Sequence, residues 1–142
     1  MTDQTSIAQL AQRLPSLDVE NGLELAGQDA SLYLTTLRAF LLDIPLVAQT
    51  LQEKLDGKDF TGFAQSAHTA RTGLNGIGFP SLAIQALLLE KAGEAEDDAY
   101  AASHLKAFLN QLAQLEQELK TALFPAAAPA PGALPAKRED PA

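Results

Sequence analysis

The stretch AHTARTGLNGIGFPSL, residues 67–82, joins two helical patterns through a glycine-rich turn. Before the turn, apolar residues recur at helical spacing from Phe60 onward, which predicts a helix that ends at Gly76 and Gly78. After it, Pro80 suits the first turn of a second helix, PSLAIQALLLEKAG, which is apolar nearly all round. The stretch therefore predicts a helical hairpin, and its second helix is expected to be largely buried.

One long helix is predicted before this hairpin and another after it. Asp29 is a plausible N-cap for the first, which Pro45 is expected to kink or split, and Asp59 can cap the helix that leads into the turn. The long helix after the hairpin is predicted to run from about Glu96 to Leu123, with Asp97 or Asp98 as its cap. Its apolar residues alternate four and three apart over about three and a half heptads: Ala101, Leu105, Phe108, Leu112, Leu115, Leu119 and Ala122.

The ends of the chain differ from its middle. Short helices are predicted over about Thr5 to Leu14 and about Asp18 to Gly27, and five of the eight prolines follow Phe124 in a segment without an apolar face. We expect an N-terminal helical extension over residues 1–16, a helical domain over 17–124 and a disordered tail over 125–142. No strand pattern stands out, so the predicted fold is all-α, an antiparallel four-helix bundle.

Composition narrows the possible functions. The net charge is −8, which argues against binding of nucleic acid, because such affinity comes from clustered Lys and Arg. The chain has no cysteine, so thiolate catalysis and cysteine-based metal sites are excluded. We see no signal peptide or membrane span. The expected protein is a cytoplasmic monomer whose partners are other proteins.

His68 is the residue whose role needs an explanation. On a helical wheel it points roughly 120° away from the apolar stripe of its helix, so it lies outside the core. No second histidine or carboxylate stands three or four residues away, so no metal is expected. A solvated surface histidine is one interpretation. The small residues around it, and Gly73 and Gly76, favour another, in which a partner surface approaches the ring.

Glu90 lies on the facing helix of the predicted hairpin. It falls on the same stripe as Leu82, Ala83 and Ala86, where a carboxylate is costly unless it meets a donor. Its distance from the turn is similar to that of His68, so a hydrogen bond from the imidazole to the carboxylate is reasonable. Such a bond would leave the other ring nitrogen free as a nucleophile. The alternative is a surface Glu that reaches solvent.

With these residues the chain resembles the histidine-containing phosphotransfer (HPt) domain of bacterial phosphorelays. The family pattern is an alanine-preceded histidine in H-x-x-K-G, then Gly, Leu and often Glu or Gln at ten, fourteen and twenty-two positions after the histidine. Here the matching residues are Ala67, His68, Gly78, Leu82 and Glu90. The resemblance extends over about Leu17 to Leu123. Arg71 replaces the family lysine, and Thr72 replaces the family glycine.

The resemblance implies a phosphocarrier that is not an autonomous enzyme. His68 would accept a phosphoryl group from a receiver-domain aspartate or a hybrid histidine kinase and pass it to another receiver domain. Arg71 would neutralise phosphate charge, and Glu90 would orient the imidazole. No cofactor is expected on this chain, and Mg²⁺ is expected on the partner receiver. The receiver would dock on a face that comprises Ala64, Gln65, Ala67, Thr72, Asn75 and Gly76.

Two other interpretations remain open. Because Thr72 and Arg71 depart from the family pattern, the chain is alternatively a degenerate HPt-like module that docks a receiver or kinase without phosphotransfer. A purely structural bundle is the third hypothesis, and it rests on the seam of the last helix. His104 has no motif around it and is interpreted as a structural or surface residue.

Overall fold

The structure, a computed structural model, describes the backbone of residues 3–124 and the side chains of residues 7–124. These residues form six helices and no strand, so the predicted all-α class is confirmed for this part of the chain. The predicted tail, 125–142, lies outside the described residues. The helices are α1 Asp3–Arg13, α2 Val19–Leu25, α3 Ala30–Asp56, α4 Phe60–Ile77, α5 Pro80–Glu94 and α6 Asp98–Leu123.

One hydrophobic core unites the six helices. The long helices α3 and α5 each pack against both α4 and α6, and the contact between α4 and α5 is the most extensive. All seven residues of the predicted seam on α6 are buried. Helix α1 adds Ile7 and Leu10 to the same core and contacts α3 and α6. Residues 1–16 were predicted as an extension, and their described part is packed onto the rest.

Side-chain caps define where α3, α4 and α6 begin. Asp29, Asp59 and Asp97 each accept a hydrogen bond from the backbone N–H three residues later. Such bonds satisfy N–H groups that have no partner within the helix. The predicted starts at Asp29 and Asp59 are confirmed, and Asp97 rather than Asp98 caps α6.

The turn between α4 and α5 sets the register of the hairpin. Gly78 ends α4 in the left-handed conformation, with φ of +84°, and Pro80 occupies the first turn of α5. The backbone N–H of Asp18 donates to the Gly78 carbonyl, and the hydroxyl of buried Tyr33 donates to the Ile77 carbonyl at 2.8 Å. The elements before α4 therefore hold the turn in place.

Two predictions about the helices need correction. Pro45 was predicted to kink or split α3; the helix continues through Pro45 as one element, so the split is wrong. Helix α5 is less buried than expected, because Ile84 and Leu88 are 59% and 46% exposed. Among the six described helices, only α4 and α6 pack against α5, so one side of this apolar helix is left uncovered by the described residues.

Helix α3 is also long and apolar enough, by length and composition alone, to cross a membrane. It is the one helix of the described residues with this property. A helix packed in a protein core passes the same test, and α3 buries Leu34, Leu37 and Leu41 against its neighbours.

Candidate functional site

The close approach of α4 and α5 brings the site residues together. A Cβ on Gly93 would lie 3.0 Å from both the Cβ and the backbone N of Ala64, so the two backbones nearly touch at this point. Ala64 precedes His68 by one turn of α4, and Gly93 follows Glu90 by almost one turn of α5. The short distance between the helices is what allows the Glu90 side chain to reach the imidazole.

His68, Arg71 and Glu90 form a connected cluster. Glu90 Oε2 lies 3.2 Å from His68 Nδ1, and the other carboxylate oxygen accepts a hydrogen bond from Arg71 Nε at 2.9 Å. Arg71 Nη2 lies 2.8 Å from the same Nδ1. The predicted contact between His68 and Glu90 is therefore present. The Nε2 atom of His68 has no hydrogen-bond partner among the described residues, and the His68 side chain is 56% exposed.

The three side chains differ in their exposure to solvent. Glu90 is only 12% exposed and Arg71 27% exposed, so the ion pair between them is partly shielded from water. Burial alone would raise the pKa of Glu90. The hydrogen bond and the charge of Arg71, with a smaller contribution from His68, outweigh burial and hold that pKa below its ordinary value. Glu90 is therefore a carboxylate that lies beneath an exposed imidazole.

Five of the six residues that were predicted to form the docking face are at least partly accessible to solvent. Gln65, Thr72 and Asn75 are exposed, and Ala64 and Gly76 are half-buried. A hollow of about 340 Å³ borders the imidazole on the side of Ala64 and Gln65. These residues surround His68 with small or polar groups, which leaves the ring accessible to another molecule.

Ala67 requires a correction. It was predicted to belong to the docking face, but its exposure is 0% and it lies in the core. Its position on the apolar stripe of α4, one residue before His68, directs it inward. Ala67 can therefore contact no partner directly in this conformation.

The sequence interpretation missed two features of this cluster. Thr69 and Glu94 line the hollow beside His68, although neither was predicted as a site residue. Arg71 was expected to serve incoming phosphate alone, but it also binds Glu90. Its position three residues after His68 on one helix is the signal that could have indicated the contact with Nδ1.

His104 occupies a different kind of setting. It is exposed, its ring stacks on Tyr100 with centroids 3.9 Å apart, and it forms no ion pair with any residue that the structure describes. This matches the surface role that was predicted. Across the part of the chain that the structure describes, no three histidine, aspartate or glutamate side chains converge as metal ligands would. Comparison with known proteins adds no assignment, since no family model, curated protein or solved structure matches the chain.

Proposed function

We propose that the chain is a phosphocarrier of the HPt type, with the Nε2 atom of His68 as phosphoacceptor. The single observation that carries the proposal is an exposed imidazole whose Nδ1 lies 3.2 Å from a shielded carboxylate. We further propose that α3, α4, α5 and α6 form the antiparallel four-helix bundle of that family. Short connections between these helices and the packing of α3 and α5 on both α4 and α6 support this arrangement.

The carboxylate has a defined role in the proposed reaction. When Nδ1 carries the proton and donates it to Glu90, Nε2 retains a lone pair for attack on phosphorus. In the transfer the N–P bond forms while the bond between phosphorus and the donor aspartate oxygen breaks, and that carboxylate leaves. The ring gains positive charge as the N–P bond forms. Glu90 stabilises that charge, and the reverse step returns the phosphoryl group to a second receiver.

The negative charge of the transferred phosphoryl group has to be neutralised by cations. Arg71 lies beside the ring and can form two parallel hydrogen bonds to phosphoryl oxygens. The partner receiver would supply Mg²⁺ and the aspartate, so that the reacting atoms are placed in line when the two proteins dock. The carrier itself would provide the nucleophile, its orientation and one positive charge.

The proposal is tested with a panel of receiver domains that are first phosphorylated on their aspartate by a small phosphodonor, and such phosphorylated domains are called charged receivers. Each is mixed with the native chain, with His68→Gln and with His104→Gln as the matched control, and intact mass then reports a phosphoryl group that is labile in acid and stable in base. We expect the group on the native chain and on His104→Gln, but not on His68→Gln. A group retained by His68→Gln would overturn the proposal.

The two other candidate functions give different outcomes in the same experiment. Receiver binding by titration without phosphoryl transfer to the native chain would favour a docking module. The exposed Thr72, which occupies the position of the family glycine, is the observation that favours this candidate. Neither binding nor transfer across the panel would favour a purely structural bundle.

A further inference from the structure

The Nδ1 atom of His68 has two neighbours that require opposite protonation states. Arg71 Nη2 is 2.8 Å from it, and Glu90 Oε2 is 3.2 Å from it. A guanidinium group can only donate a hydrogen bond and keeps its protons in proteins, whereas an ionised carboxylate can only accept one. Nδ1 therefore accepts from Arg71 or donates to Glu90, and it cannot do both.

The choice between these partners decides which ring nitrogen can react. A neutral imidazole carries one proton, and when Nδ1 accepts from Arg71 that proton resides on Nε2. Nε2 then has no lone pair for attack on phosphorus. When Nδ1 instead donates to Glu90, the lone pair is on Nε2, which is the exposed atom. Only the second state is competent for the proposed transfer.

The geometry of the free protein favours the first state. The contact of Nδ1 with Arg71 is shorter than that with Glu90, and the Nε of Arg71 is itself held by Glu90 Oε1 at 2.9 Å. The guanidinium is thus anchored on the carboxylate while it occupies Nδ1. A dianionic phosphoryl group is a better acceptor for that guanidinium than a neutral ring nitrogen, because both partners are charged.

We propose that Arg71 is a tautomer gate that keeps His68 unreactive until a phosphoryl group arrives. In the free protein Arg71 holds the ring proton on Nε2. When the guanidinium turns to phosphoryl oxygens, Nδ1 is released, and solvent takes the proton from Nε2 and returns one to Nδ1, which then donates to Glu90. The inference rests on the proposed function, because the phosphoryl donor is what draws Arg71 away.

The position of the ring proton can be measured without any phosphoryl donor. The full chain is labelled with ¹⁵N-histidine, and long-range ¹H–¹⁵N correlations are recorded where the ring shifts no longer change with rising pH. We expect Nε2–H to predominate at His68 in the native chain. Arg71→Met keeps an apolar stem but removes the donor to Nδ1. The ratio of Nδ1–H to Nε2–H should therefore rise about tenfold or more, because one hydrogen bond to a charged group shifts an equilibrium by about that factor.

Controls in the same experiment separate the gate from general effects. Arg13→Met removes an exposed arginine from α1, which makes no contact with α4 among the described residues, and should leave the ratio unchanged. The signals of His104, identified with His104→Gln, report whether Arg71→Met remains folded. Predominance of Nδ1–H in the native chain, or an unchanged ratio in Arg71→Met, would overturn the gate.

Failure of the gate and failure of the proposed function give different results. The same labelled proteins are mixed with charged receiver domains, and phosphorylation is followed by intact mass. A native chain that is phosphorylated on His68 but carries Nδ1–H contradicts the gate alone. A native chain that carries Nε2–H, responds to Arg71→Met as expected and accepts no phosphoryl group contradicts the proposed function.

Discussion

Glu90 would orient the imidazole of His68, whereas His68 itself would accept the phosphoryl group. Replacing Glu90 therefore tests the orientation of the ring separately from its role as acceptor. In Glu90→Gln the carboxylate charge is lost while the shape is kept, so the phosphorylated ring loses its stabilising partner. We expect transfer from a charged receiver to slow by about tenfold, the effect of one hydrogen bond to a charged group. His68 should still be the acceptor, and the matched control is Glu118→Gln, at an exposed position of α6, which does not contact α4 among the described residues. Equal rates in the native chain and Glu90→Gln would contradict this role.

The pKa of Glu90 also predicts how stability depends on pH. Arg71 lowers that pKa below the ordinary value of 4.5, so the folded state favours the ionised form more than the unfolded state does. The resulting stabilisation is fully present above about pH 4.5 and is lost as the pH falls through the lowered pKa. We expect the difference in unfolding free energy between the native chain and Glu90→Gln to shrink in acid. A difference that grows in acid would contradict the sign of this shift.

The α4–α5 hairpin depends on one glycine more than on the others. Gly78 has positive φ, and a Cβ there would lie 2.2 Å from the carbonyl oxygen of Asp18. Gly78→Ala should therefore lower the free energy of unfolding by about 1–3 kcal/mol. Gly76 is its matched control, because it lies within α4 and a Cβ there meets nothing within 4 Å. Gly76→Ala should stabilise by about 0.5–1 kcal/mol. Denaturant unfolding measures both, and equal effects would contradict this account of the turn.

A feature of these helices can be predicted from the sequence when local pattern determines it, and it cannot when the choice of side-chain partner or tertiary packing determines it. The seam of α6 and the caps at Asp29 and Asp59 follow from local pattern, and all were predicted. The approach of Glu90 to His68 follows from the position of the turn, and it was predicted too. Periodicity says nothing about which partner a long side chain selects, so the bonds of Arg71 to Glu90 and His68 were missed. The number of helices that cover α5 depends on tertiary packing, which explains its unexpected exposure.

Partner docking is the property of the whole molecule on which the proposed function depends. Thr72 is exposed, one turn after His68 on α4, at the position where HPt domains have glycine. Thr72→Gly should raise the rate of transfer from a charged receiver several-fold and leave phosphorylation by a small phosphodonor unchanged. The exposed Thr121 on α6, which does not contact α4 among the described residues, provides the control Thr121→Gly. Both changes should cost a few tenths of a kcal/mol in helix stability. An unchanged transfer rate in Thr72→Gly would show that Thr72 does not obstruct docking.

The most direct test of the central claim is to identify the atom that carries the phosphoryl group. The ¹⁵N-histidine-labelled chain is phosphorylated by a charged receiver domain, and the one-bond coupling between ³¹P and ¹⁵N is recorded. The account predicts a single coupling, to Nε2 of His68. Coupling to Nδ1 of His68, coupling to His104, or a phosphorylated chain without any coupling to histidine nitrogen would contradict it.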